Sequence, residues 1–116
     1  MQIVLESPEF LDVDVGITAC VDMASGRILV ESDVKVAGDI WRVHLTDADP
    51  YPSQPHAHCI GGSKRYLGKK LHLGSGQLFD SKNNPTTRRL EIKQFERLIK
   101  LIQPKFPNVK LPLPSA

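Results

Sequence analysis

His56 and His58 are separated by a single residue in the run Pro55-His56-Ala57-His58. Imidazole ligates borderline transition metals and is the side chain that titrates closest to neutral pH. On an extended strand, side chains two apart point to the same face, so these two rings stand side by side, close enough to share a cation. A metal site needs at least one further ligand. His72, His44, Asp47 and Asp49 are placed to supply it if the strands pair suitably. The set His56, His58, His72 and Asp49 suits a divalent transition metal such as zinc, or iron. The competing reading is structural: Asp47 and Asp49 cap the loop, and the histidines hydrogen-bond its carbonyls and hold the prolines in place. No Cys-x-x-Cys or His-Glu-x-x-His motif accompanies the pair, which leaves the structural reading the simpler one.

The same histidines suit acid/base chemistry, because Lys64, Arg65, Lys69 and Lys70 follow at once. A metal-independent hydrolase acting on phosphodiesters, a nuclease for example, needs a base, an acid and a cation for the developing phosphate charge. Gly61-Gly62-Ser63-Lys64-Arg65 resembles a phosphate cradle in composition, but it lacks the spacing of a Walker motif, and a plain hairpin loop accounts for it. Arg88 and Arg89, placed near a helix start, would reach a nucleic-acid backbone. Such contact would be nonspecific and salt-sensitive, and at 6% aromatic residues stacking platforms are scarce. Cys59 adjoins His58 but points to the opposite face of a strand, so it reads as a buried thiol and not as a nucleophile paired with that histidine.

These residues need elements to position them. Ile17, Ala19 and Val21 alternate, and Ala24-Ser25-Gly26 supplies a turn before Arg27 to Glu31, which predicts a hairpin. Ile40 to Leu45 predicts a strand with Trp41, Val43 and Leu45 on one face and Arg42 and His44 on the other. Pro50, Pro52 and Pro55 exclude ladder pairing between Asp47 and Pro55, and Asp80 to Thr87 reads as a polar loop. His56 to Ile60 and Lys70 to Leu73 predict further strands, with Gln77 to Phe79 pairing back across Gly74-Ser75-Gly76. Ile92, Phe95, Leu98, Ile99 and Ile102 recur at helical spacing and predict a helix that begins near Thr87 or Leu90 and ends before Pro104. The expected fold is α+β: a mostly antiparallel sheet of about five or six strands with one C-terminal amphipathic helix. It forms a single domain over 1–116, with an N-terminal hairpin region (1–39), the His-x-His sheet and helix (40–103) and an extended proline-rich tail (104–116).

The apolar and charged fractions, 41% and 24%, are those of a folded globular chain. No apolar run approaches the roughly 18 residues of a membrane span, and Met1 to Glu6 has no signal-like start. With only Cys20 and Cys59, widely spaced, the expectation is a cytoplasmic protein with free thiols. The net charge of +2 conceals an uneven distribution: residues 1–59 carry three basic and ten acidic side chains, the remainder twelve basic and three acidic. Either a basic face meets phosphates, or the two halves pair their charges within or between subunits.

From Ile40 onward, the strand Trp41-Arg42-Val43-His44-Leu45, then Asp47 or Asp49, then Pro55-His56-Ala57-His58 resembles a family of small bacterial proteins of unknown function, marked by a strand, an Asp and Pro-Pro-His-x-His. The likeness extends through Lys70 to Leu73, Gly76 to Leu78 and Arg89-Leu90-Glu91 into the helix. Gln54-Pro55 stands where two prolines are expected, and the first forty or so residues fall outside the likeness. The resemblance implies an accessory module of toxin-antitoxin-like gene pairs and assigns no catalytic residue. Together these readings give a non-catalytic binding or interaction module acting as a homodimer. The alternatives are a metal-dependent or acid/base hydrolase centred on His56 and His58, and a nucleic-acid-binding accessory protein contacting its ligand through Lys64, Arg65, Lys69, Lys70, Arg88 and Arg89.

Overall fold

The computed structural model describes residues 1–30, 38–48 and 55–106. They form β1 (Gln2–Glu6), β2 (Phe10–Asp14), β3 (Ala19–Asp22), β4 (Ile28–Val30), β5 (Ile40–Ala48), β6 (Pro55–Gly61), β7 (Lys70–His72), β8 (Gln77–Phe79), β9 (Pro85–Leu90) and α1 (Ile92–Ile102), followed by a 3-10 turn over Gln103–Lys105. All nine strands belong to one sheet in the order β1-β2-β5-β6-β7-β8-β9-β3-β4, and each neighbouring pair is antiparallel. The class is α+β as expected, but with nine strands in place of five or six.

Connectivity forces this sheet to coil. β2 and β3 stand second and eighth in the order, six steps that would span about 29 Å in a flat sheet. The chain from Asp14 to Ala19 reaches at most about 17 Å. The two ends must therefore curl toward each other, and the overall extents of 35 × 31 × 29 Å fit that shape. The link itself is tied down. Val15 N–H donates to Asp39 O (3.1 Å), Asp39 N–H donates to Gly16 O (2.8 Å), and the Gln94 side chain of α1 bonds Val15 O, Ile17 O and Ala19 N–H.

A continuous row of inward residues crosses the sheet. Val13 lies opposite Trp41 and Trp41 opposite Cys59, while Leu11, Val43, Ala57, Leu71 and Leu78 face one another strand by strand. All are buried, and Phe95, Leu98, Ile99 and Ile102 of α1 close the same core. Trp41 and Val43 thus share the buried face, with Arg42 and His44 outside, as the alternation predicts. The polar edge of the buried Trp41 is satisfied: its Nε1 donates to Thr18 Oγ1 at 3.1 Å.

Several expectations need correction. β1 and β2 form where only a hairpin further on was predicted, and that hairpin starts at Ala19 with Ile17 exposed. The supposed polar loop ends at Asn84, because Pro85–Leu90 is a strand between β8 and β3. Ladder pairing runs up to the proline segment, with Ala48 opposite Pro55. The helix begins at Ile92, since the Glu91 carboxylate caps it by accepting from Lys93 N–H and Gln94 N–H. The tail does not begin extended: Gln103–Lys105 turns, and Phe106 is buried. Residues 107–116 lie outside the described residues.

Candidate functional site

Register fixes the site. Arg42 lies opposite His58 and Val43 opposite Ala57 across β5 and β6. His56 lies opposite His72, and His58 opposite Lys70, across β6 and β7. Phe10 and Asp12 of β2 lie opposite His44 and Arg42. Side chains alternate along each strand, so Val43 and Ala57 face the core while Phe10, Asp12, Arg42, His44, His56, His58, Lys70 and His72 share the opposite face. All four histidines of the chain therefore occupy three adjacent strands on one side of the sheet.

Their rings are packed together. His44 stacks on His56 with centroids 4.9 Å apart and on His58 at 4.7 Å. His44 Nε2 and His58 Nδ1 stand 2.8 Å apart, so one nitrogen donates its proton to the other. His72 is buried and stacks on Phe79 at 3.9 Å. Two fixed cations flank the rings. Arg42 makes a bidentate pair with Asp12, Nε to Oδ1 at 2.8 Å and Nη2 to Oδ2 at 3.0 Å, and its guanidinium lies over the Phe10 ring. Lys70 Nζ donates to Asn83 Oδ1.

Burial pushes the His58 imidazole below the ordinary histidine pKa, and the positive neighbours His44, Arg42 and Lys70 push it the same way, against Asp12. The folded chain therefore holds the His58 proton less firmly than the unfolded chain does. The stability this confers is complete above the ordinary histidine pKa of about 6.5 and is lost as pH falls through the lowered folded value. Chemical denaturation across that range should show this acid-side loss, and His58→Gln should flatten it. A histidine NMR titration should place the His58 midpoint below that of a model peptide.

Three members of the predicted metal set, His56, His58 and His72, lie on one face. His56 and His72 face each other and His58 is their neighbour, while Asp49 lies outside the described residues and the Asp47 side chain is not described. Among the described residues no group of three or more His, Cys, Asp or Glu side chains could hold a metal ion. One physical reason is that His44 Nε2 and His58 Nδ1 are bonded to each other and so are not turned toward a common centre with His56 and His72.

The predicted anion contacts are dispersed. Lys64 and Arg65 are exposed in the β6–β7 turn, Lys69 and Lys70 lead into β7, and Arg88 and Arg89 lie within β9 and not at the helix start. Of the six, only Lys70 joins the histidine face. The apparent phosphate cradle is already filled by the protein's own carboxylate, because Ser63 N–H donates to Asp39 Oδ1 at 2.7 Å. Cys59 faces the core opposite Trp41, and burial pushes its thiol up to about 11, which leaves it inert.

His44, Arg42 and Asp12 are the residues of this face that the histidine motif alone does not find. The signal for His44 and Arg42 was their shared alternation on one strand; for Asp12 there was none, because its partner is thirty positions away. No helix among the described residues is long and apolar enough to cross a membrane. Comparison of the chain with family models, with curated proteins and with solved structures found no match.

Proposed function

We propose that the chain is a non-catalytic binding module that meets an anionic ligand with the outer face of β5, β6 and β7. One observation carries this reading: the inner face is closed by α1, while the outer face gathers every histidine of the chain together with Arg42 and Lys70. Imidazoles, a guanidinium and an ammonium are hydrogen-bond donors or become so on protonation, and an oxyanion accepts from all of them. Inorganic phosphate titrated into isotope-labelled protein at low salt should shift the amide and ring signals of Arg42, His44, His56, His58 and Lys70, and added salt should reverse the shifts. Shifts confined to Lys64 and Arg65, or to Arg88 and Arg89, or absent altogether, would refute the assignment.

An acid/base hydrolase is the second reading. It is supported by the His44–His58 hydrogen bond, which joins a half-buried imidazole of lowered pKa to a proton partner. That reading requires hydrolysis of a simple diester such as bis(p-nitrophenyl) phosphate, with a bell-shaped pH profile that His58→Ala abolishes. Turnover unchanged in that variant would sink it.

A further inference from the structure

The nitrogen-to-nitrogen contact between His44 and His58 constrains what this face can hold. At 2.8 Å there is room for one hydrogen between His44 Nε2 and His58 Nδ1, and a second would set two N–H groups head to head. Two protons on the facing nitrogens are therefore incompatible with the pair as it stands. If the two rings move apart, an oxygen placed between them removes the conflict, since both nitrogens then donate to it.

The other charges of the face are committed. Arg42 is held by two bonds to Asp12 and by the Phe10 ring, Lys70 by Asn83, and the His72 ring lies buried against Phe79. Among the described residues, these groups, with the His56 ring packed on His44, are titratable and charged neighbours contributed by β2, β5, β6 and β7. Imidazole is the side-chain type on this face that in general changes charge closest to neutral pH.

We propose that His44 and His58 form a proton-gated clasp for a tetrahedral oxyanion of the sulfate or phosphate class, in which ligand oxygen replaces the nitrogen-to-nitrogen hydrogen bond and the pair takes up a proton as the anion binds. The proton comes from solvent and adds to whichever facing nitrogen is the acceptor in the ligand-free pair; no covalent bond forms or breaks. This rests on the reading of the face as an anion-binding surface and adds to it a pH dependence with a defined proton count. Binding strengthens as pH falls, because the anion raises the affinity of the pair for its second proton and, by reciprocity, the proton raises the affinity for the anion.

The test uses inorganic sulfate, whose own charge is constant over the range about pH 5.5 to 8 in which histidine titrates. Calorimetric titration in buffers of different ionisation enthalpy counts the protons taken up. Uptake approaching one proton per sulfate, with affinity rising about tenfold for each pH unit lowered, is the expected result. His58→Gln and His44→Gln should each abolish the pH dependence, whereas Lys93→Gln on the exposed side of α1 should not. The proton count on the unaltered protein stands even if a histidine variant folds poorly. Sulfate bound equally well at both ends of the range, with no proton uptake, would overturn the clasp and leave the anion-binding face intact. Absence of binding by both sulfate and phosphate would overturn the face itself.

Discussion

Gly62→Ala is expected to destabilise the fold by about 3 kcal/mol or more, among the largest effects of any single methyl group in the chain. Gly62 has φ +103°, a conformation side chains rarely adopt, and a Cβ built there would lie 2.3 Å from Asp39 Oδ1 and 2.7 Å from Asp39 Cα. The carboxylate cannot swing aside without loss. Its two oxygens accept from Ser63 N–H and from the buried Thr18 N–H, and its own backbone bonds Val15 N–H and Gly16 O. Asp39 thus ties the β2–β3 link to the turn after β6, and moving it disturbs the crossing that closes the coiled sheet. Gly68 isolates the conformational part, because at φ +82° it has nothing within 4 Å of the same added atom. Gly68→Ala should cost only about 1 to 2 kcal/mol of backbone strain. Thermal unfolding should therefore separate the two variants, with the Gly62 midpoint lower by about 5 °C or more than that of Gly68→Ala. Equal midpoints would show that Asp39 yields freely and is no anchor.

What the sequence disclosed and what it concealed divide along the range of the interactions involved. The β3–β4 hairpin was legible because its turn is local, with Gly26 at φ +74° where Ala24-Ser25-Gly26 predicts a reversal. The same holds for Trp41 and Val43 against Arg42 and His44, a pattern contained in one strand. β2 carries the alternation of a strand, with Leu11 and Val13 inward and Asp12 and Asp14 between them, but an acidic side chain only 4% exposed is stable there because Arg42 meets it from the next strand, a contact no local pattern specifies. β9 was hidden by its composition, Pro-Thr-Thr-Arg-Arg-Leu, since what makes it a strand is pairing on both sides with β8 and β3. The site follows the same division. Two-residue spacing was enough to place His56 and His58 together, but His44 joins them through the register of Arg42 on His58, which no local pattern specifies.

The helix gives the sharpest contrast between spacing and packing, and Leu98→Ala is the second large effect expected. Leu98 is fully buried in the layer between α1 and the sheet, together with Phe95, Ile99 and Ile102. Truncating it removes apolar contact and leaves a cavity that the surrounding strands cannot collapse to fill, a loss of about 3 to 4 kcal/mol. Helical periodicity assigns Ile92 to the same stripe. In the fold Ile92 stands at the first turn with 40% of its surface exposed, just after the Glu91 cap. Ile92→Ala should therefore cost less than about 1 kcal/mol, since alanine also has the higher helix propensity. Urea unfolding of the two variants distinguishes the cases directly, through a large drop in midpoint at unchanged slope for Leu98→Ala and a small one for Ile92→Ala. Comparable losses at both positions would mean that the first turn of α1 packs against the body and that the helix is rotated or tilted from the placement that closes the core.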